Sequence, residues 1–181
     1  SLGGIVGTTF LGVNTDIKHS VLAMPGGGIA KLLDGSPTFG PRIAAGLAAS
    51  GITEGTENYE TFLRFAQTLV DAADPVNYAS TASNGGTRNL VMIEVVGDTM
   101  TGTLPDQVVP NSVPRNPPTV TISGELSGTD PLARLLNLTQ QTVSPPWANA
   151  TVAPNTVLRF TAGDHGSILQ PSATSPFIVT C

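Results

Sequence analysis

Charged residues are scarce in this sequence: Asp, Glu, Lys and Arg make up 12% of its 181 residues, about half the share usual in soluble domains. Only eight of them are cations and the net charge is −5. Too few positive groups are present to neutralise a phosphate track, which argues against a nucleic-acid partner. Cysteine occurs once, at Cys181, so no disulfide forms within the sequence. That thiol is either a bland one or half of a bridge to a partner elsewhere. With two histidines and one cysteine, no cluster has the spacing of a zinc site, and neither a catalytic metal nor another cofactor is expected. No run of about 18 apolar residues exists, so no transmembrane helix is expected. The 20 glycines and 15 prolines follow no period, which excludes collagen and solenoid readings. An initiator methionine, a basic leader and an apolar leader segment are missing too. Together these predict a piece of a longer chain or a processed product.

What is present reads as a single domain over 1–181, with enough apolar residues (40%) to bury a core. Low charge suits a secreted protein that faces lipid, or part of a fold with an exposed broken face. Ile17 to Met24 reads as a strand, stopped by Pro25-Gly26-Gly27-Gly28. That glycine run lacks the ending of a phosphate loop and the spacing of a dinucleotide fingerprint; a hinge is expected. From Ile29 to Ala79 only helical pieces appear. Pro41 to Ser50 is an alanine-rich helix stopped at Gly51, and Thr56 caps a longer one over Glu57 to Ala73. On the latter, Tyr59, Phe62, Leu63, Leu69, Val70 and Ala73 fall on one face. Asn89 to Val96 is a near-continuous apolar run, the signature of a strand covered on both faces. Thr119 to Ser123 and Thr156 to Thr161 are shorter strand candidates, and Phe177 to Thr180 a β-like tail. Asp130-Pro131 opens a helix with Leu132, Leu135 and Leu136 inward. Strand, helical insertion, strand, helix, strand is α/β order with a parallel sheet of about three core strands.

The stretch Ser1-Leu2-Gly3-Gly4-Ile5-Val6-Gly7-Thr8-Thr9-Phe10-Leu11 organises the reading. Leu2, Ile5, Val6 and Phe10 recur at helical spacing on one face. Gly3, Gly4 and Gly7 weaken a helix by up to ~1 kcal/mol each, a cost that points to another backbone passing close. A serine followed by this pattern resembles the second half of a nucleophile elbow. On those residues the chain resembles extracellular bacterial lipases and esterases of the α/β-hydrolase fold, from the elbow serine to the C-terminus. The resemblance implies an incomplete sheet, the elbow strand and everything before it being absent, and a lid-like helical insertion at about 29–79. It implies an acyl pocket there for residues such as Leu32, Leu33, Phe39, Ile43 and Leu47, which could equally be plain core.

Acyl transfer by serine needs a base, a carboxylate that holds the base, and donors for the oxyanion. The resemblance implies the chain order serine, acid, histidine, and Ser1 is then the nucleophile. His165, in Gly163-Asp164-His165-Gly166, is the base candidate, whereas His19 reads as a half-exposed structural histidine. Asp106, in Asp106-Gln107-Val108-Val109-Pro110, is similar to the acid-bearing signature of the family and is preferred to Asp98. Eight residues separate it from Gly97, more than the family pattern has. Asp98 reads otherwise as a turn or calcium-ligating carboxylate, and Asp164 as a cap for the histidine loop. The backbone N–H of Leu2 is the oxyanion donor; the second donor of the family comes from a loop this sequence does not hold. The expected activity is hydrolysis of lipid or small esters by a secreted bacterial enzyme that contacts lipid surfaces. Alternatives are an inactive remnant and an N-terminal-nucleophile hydrolase using the amine of Ser1. A homo-oligomer through an exposed sheet edge is also expected.

Overall fold

The computed structural model of the protein describes residues 1–113, 127–144 and 152–169. The expected strand at 119–123, the β-like tail at 177–180 and Cys181 lie outside the described residues. Ser1 precedes helix α1 (Leu2–Val13), which leads to strand β1 (His19–Ala23). The expected helical stretch follows as α2 (Ile29–Asp34), α3 (Gly40–Ala49), α4 (Glu57–Val70), two short 3-10 turns and α5 (Ala79–Ala82). Then come β2 (Asn89–Val95), α6 (Thr129–Leu135), β3 (Thr139–Val143) and β4 (Thr156–Phe160).

The four strands form one open sheet in the order β1-β2-β4-β3, every pair parallel. The α/β class follows, with four strands rather than the expected three. The extra one, Thr139-Gln140-Gln141-Thr142-Val143, carries no apolar alternation because it lies at an edge and is largely exposed. Met92 in β2 is flanked in register by Leu22 and Val157. These three side chains form a core with Leu11, Ala79, Ala82, Leu132 and Leu136 on one face of the sheet. Ile93, Val95, Leu158 and Phe160 make the second core on the other face. Burial on both faces explains why β2 reads as a continuous apolar run.

Helix α1 packs by its small residues. Gly4, Thr8 and Leu11 are its buried positions, while Leu2, Val6, Phe10 and Val13 look outward. A Cβ on Gly4 would stand 2.7 Å from the Ala23 carbonyl oxygen, and one on Gly12 would stand 2.6 Å from Tyr78 Cβ. Of the three glycines singled out, Gly4 alone serves a close approach of backbone; Gly7 meets only the Leu22 side chain at ordinary contact distance and Gly3 has open space around it, while Gly12 packs against the Tyr78 side chain.

Other local expectations change in detail. Thr56 caps α4 by accepting the Tyr59 N–H at 3.3 Å, and Tyr59 and Leu63 are buried, but Phe62, Leu69 and Ala73 are exposed. The helix gives way to a 3-10 turn at Asp71–Ala73, which breaks the expected face. In α6, Leu132 and Leu136 are inward as expected, whereas Leu135 is exposed and Ala133 takes its place in the core. Pro25–Gly28 is held by contacts on both sides. Gly27 pairs antiparallel with Gly128, and the Asp74 carboxylate accepts the N–H groups of Gly28 (3.0 Å) and Ile29 (2.8 Å). Among the described residues no helix is long and apolar enough to cross a membrane.

One buried cation joins three elements. Arg88 is 1% exposed. Its guanidinium donates to the carbonyls of Leu11 (2.7 Å) and Asn14 at the end of α1, Ile17 (2.8 Å) before β1, and Ala82 at the end of α5. A cation is favoured at helix C-termini, where carbonyls lack intrahelical donors. Arg88→Met leaves four carbonyls without donors, each worth about 1–3 kcal/mol when buried. The expected result is a loss of about 4 kcal/mol in urea denaturation, with Arg88→Lys between it and the parent; a loss under about 1 kcal/mol contradicts this role.

Candidate active site

Parallel strands put their carboxyl ends on one side of the sheet, where ligands of open α/β sheets bind. Ala23, Val95 and Phe160 end β1, β2 and β4 there. The three site candidates arise from segments anchored at those ends.

The acid comes from β2. After Val95 the chain turns at Gly97 (φ +67°), where a Cβ would meet Thr103 and Leu104 backbone atoms at 2.6 Å. It then makes a small excursion, closed by an antiparallel bridge between Asp98 and Thr103. Thr103 Oγ1 donates to Thr161 O at 2.6 Å, bracing the excursion against the end of β4. The chain returns so that Asp106 N donates to Val95 O at 3.0 Å. The eight residues between Gly97 and Asp106 are thus looped out, and the acid sits back at the strand end. Asp106 is 3% exposed. Its Oδ1 accepts the N–H groups of Val108 (2.8 Å) and Val109 (3.1 Å).

The histidine comes from β4. Asp164 Oδ1 accepts from Gly166 N and from Ser167 Oγ, both at 2.9 Å, a local cap that shapes the loop and matches its expected place. His165 Nδ1 lies 2.7 Å from Asp106 Oδ2, and its Nε2 lies 3.0 Å from Ser1 Oγ. A carboxylate accepts and does not donate, so Nδ1 carries the proton toward Asp106 and Nε2 is left to accept from the serine hydroxyl. Asp98 turns instead to its own loop, accepting Met100 N at 2.8 Å. His19 stands at the exposed start of β1, 3.0 Å from Asn89 Nδ2.

Ser1 is the N-cap residue of α1, placed by Gly4 against the end of β1. Leu2 opens the helix, so its N–H is among the first-turn donors that no intrahelical carbonyl reaches. The partial positive charge of the helix start lies beside Ser1. Ser1, Asp106 and His165 are therefore brought together from positions up to 164 residues apart, with Leu2 adjacent.

Sequence reasoning passed over two supports of this site. The linker between α2 and α3 clamps the acid loop: Ser36 Oγ and Thr38 Oγ1 donate to Val108 O and Gln107 O, both at 2.7 Å. Beneath that loop lies a polar cluster. Glu94 and Arg159 are register partners joined at 2.6 Å. Arg159 also pairs with Asp130 at 3.2 Å, and Asn111 Nδ2 donates to Glu94 Oε2 at 3.1 Å. One acidic residue inside an apolar strand, with an arginine inside another, was the available signal. A cavity of about 340 Å³ opens between α2, α3 and α4. Of the residues considered for a pocket, Leu33, Ile43 and Leu47 line it. Leu32 is instead buried against Gly26, and Phe39 is exposed outside the lining.

Searches of family models, of curated proteins and of solved structures found no match to this chain.

Burial, then repulsion from Asp130, pushes Glu94 up to about 7, against the pull of Arg159 and the Asn111 hydrogen bond. Arg159 is held above its ordinary value despite burial, because Glu94 hydrogen-bonds to it and Glu94 and Asp130 attract its charge. A raised carboxyl keeps its proton in the folded state where the unfolded chain has lost it, so this group's contribution falls as pH rises from about 4.5 to about 7. Relative to the parent, Glu94→Gln is expected to gain stability across that window in urea denaturation; a difference independent of pH contradicts the assignment.

Proposed function

We propose that this chain carries the nucleophile, base and acid of a carboxylic-ester hydrolase of the α/β-hydrolase kind, acting on lipid esters. The observation that carries the reading is one imidazole between two partners. His165 lies 3.0 Å from Ser1 Oγ on one side and 2.7 Å from Asp106 on the other. The order serine, acid, histidine along the chain, the all-parallel sheet and the helical insertion between β1 and β2 support it further. So does the position of Ser1 at a helix start.

In this mechanism Ser1 Oγ attacks the ester carbonyl as its proton passes to His165 Nε2. Asp106 holds the ring so that Nε2 faces the serine, and stabilises the imidazolium that forms. The oxyanion takes the Leu2 N–H and the positive end of α1; one such donor is worth about 10²–10³ in rate. The imidazolium then gives its proton to the departing alkoxide, leaving an acyl-Ser1. Water, deprotonated by His165, releases the carboxylic acid and restores the hydroxyl. An N-terminal-nucleophile mechanism would need the Ser1 amine as base; the imidazole at Oγ favours the histidine route.

The test is covalent labelling by diethyl p-nitrophenyl phosphate, which needs only an activated nucleophile. Mass spectrometry is expected to place one diethylphosphoryl group on Ser1. His165→Ala should abolish labelling, Asp106→Asn should slow it by about 10³–10⁴-fold, and Asp98→Asn or acetylation of the α-amine should leave it intact. Equal slowing by Asp98→Asn, or labelling that survives His165→Ala, overturns the reading.

A further inference from the structure

The far end of the acid loop is fastened twice. Asn111 O accepts the Asp130 N–H at 2.8 Å and Pro110 O accepts the Thr129 N–H at 3.2 Å, which ties the loop to the start of α6. Gly128 comes so close that a Cβ there would stand 2.6 Å from Asn111 O. The second fastening is the Asn111 side chain, whose Nδ2 donates to Glu94 Oε2 at 3.1 Å. Glu94 is 1% exposed. It precedes Val95, the strand-end residue whose carbonyl accepts the Asp106 N–H.

Both carboxylate oxygens of Glu94 are in use. Oε1 accepts from Arg159 Nε at 2.6 Å, and Oε2 accepts from Asn111. Arg159 also donates from Nη2 to Asp130 at 3.2 Å and from Nη1 to Gln140 at 3.3 Å. Among the described residues, the charged groups facing Glu94 are therefore Arg159 from β4 and Asp130 from α6. Arg134, later in α6, is exposed, Asp106 stands on the same loop as Asn111, and Ala23 and Met24 on the β1 side carry no charge.

A proton added to Glu94 turns one acceptor oxygen into an O–H donor. On Oε1 it would confront the Arg159 N–H, whose ionic bond is the stronger of the two. It therefore sits on Oε2, across from Asn111. A buried O–H needs an acceptor, and Asn111 supplies one by turning its amide so that Oδ1 replaces Nδ2. That exchange trades a charge-assisted bond for a neutral one, about half as strong. Burial, then Asp130, pushes the Glu94 carboxyl up to about 7, so the exchange falls near neutral pH.

We propose that Glu94 is a positioning residue for Asp106: its ionised carboxylate holds the acid loop through Asn111, and its protonated form turns that amide over and loosens the hold. The role rests on the reading of Ser1, His165 and Asp106 as the reacting groups. Glu94 acts through the loop and not on the reacting atoms.

Glu94→Gln fixes the turned state, because its side chain keeps Oε1 for Arg159 and points Nε2 at Asn111. The rate at which diethyl p-nitrophenyl phosphate labels Ser1 is measured in parent and variant from about pH 5.5 to about pH 8.5, either side of the Glu94 titration. The parent is expected to match the variant at the acid end. At the alkaline end it should be about tenfold faster, short of the about 10²-fold that a 1 Å misplacement can cost. Any ionisation common to both proteins cancels in that ratio. A ratio that stays flat with pH is what a purely structural substitution gives, and it overturns the proposal. Asn111→Ala should slow the alkaline rate similarly, and adding Glu94→Gln to it should slow it no further; additive slowing overturns the route through Asn111. In nitrogen-15 NMR spectra of the parent, the Asn111 side-chain amide signals, assigned by Asn111→Ala, should move with a midpoint near 7 and stay fixed in Glu94→Gln. Signals that do not move in the parent overturn the exchange. A parent protein that is labelled at no pH overturns the hydrolase reading and this role with it, whereas labelling with a flat ratio overturns the role alone.

Discussion

The Asp106 carboxylate is used on both oxygens, and much of the structure exists to keep it so. Oδ1 takes two backbone N–H groups from its own loop, and Oδ2 is left for the imidazole of His165. A buried carboxylate is costly unless its lone pairs are filled, so the loop must keep these donors in place. Four attachments ensure this. Asp106 N reaches back to Val95, Thr103 is tied to the end of β4, Ser36 and Thr38 hold the carbonyls of residues 107 and 108, and Asn111 is held by Glu94. The anchors lie in β2, at the end of β4 and in the linker between α2 and α3. The position of one oxygen therefore depends on the parallel register of β2 and β4 and on the helical insertion.

That dependence links the insertion to the site. The segment joining α2 to α3 touches the acid loop directly, and the same segment fixes the start of α3. The rest of the insertion is anchored separately: Asp74 holds the turn before α2, and Arg88 ties the ends of α1 and α5. The insertion is thus secured at its two ends, with α3, whose one buried residue is Gly40, the most exposed helix between them.

Local pattern made the α/β order legible, because an apolar run such as Leu90 to Val95 and a cap such as Thr56 are local facts. The resemblance to a hydrolase elbow and acid signature made Ser1 and Asp106 candidates, and the glycine-flanked loop after a predicted strand, with that resemblance, did so for His165. The remainder was hidden for physical reasons. β3 is an edge strand of threonine and glutamine with no buried face to advertise. The outward side of α1 carries its large apolar residues because the inward side must let backbone come close. The excursion from Asp98 to Pro105 lengthens the sequence without moving the acid, which spacing alone cannot reveal. Arg88 bonds to carbonyls up to 77 residues away, and backbone carbonyls carry no sequence signal.

The central claim is that the neighbouring strand ends hold one imidazole in one tautomer between Asp106 and Ser1. Nitrogen-15 NMR of the histidine rings measures this directly, and with two histidines in the chain the signals are assigned by His19→Gln. The account predicts that the neutral His165 ring carries its proton on Nδ1, with a strongly downfield proton there, and that Asp106→Asn moves the proton to Nε2 while Asp98→Asn does not. A His165 ring with mixed tautomers in the parent protein, indifferent to Asp106→Asn, would contradict it.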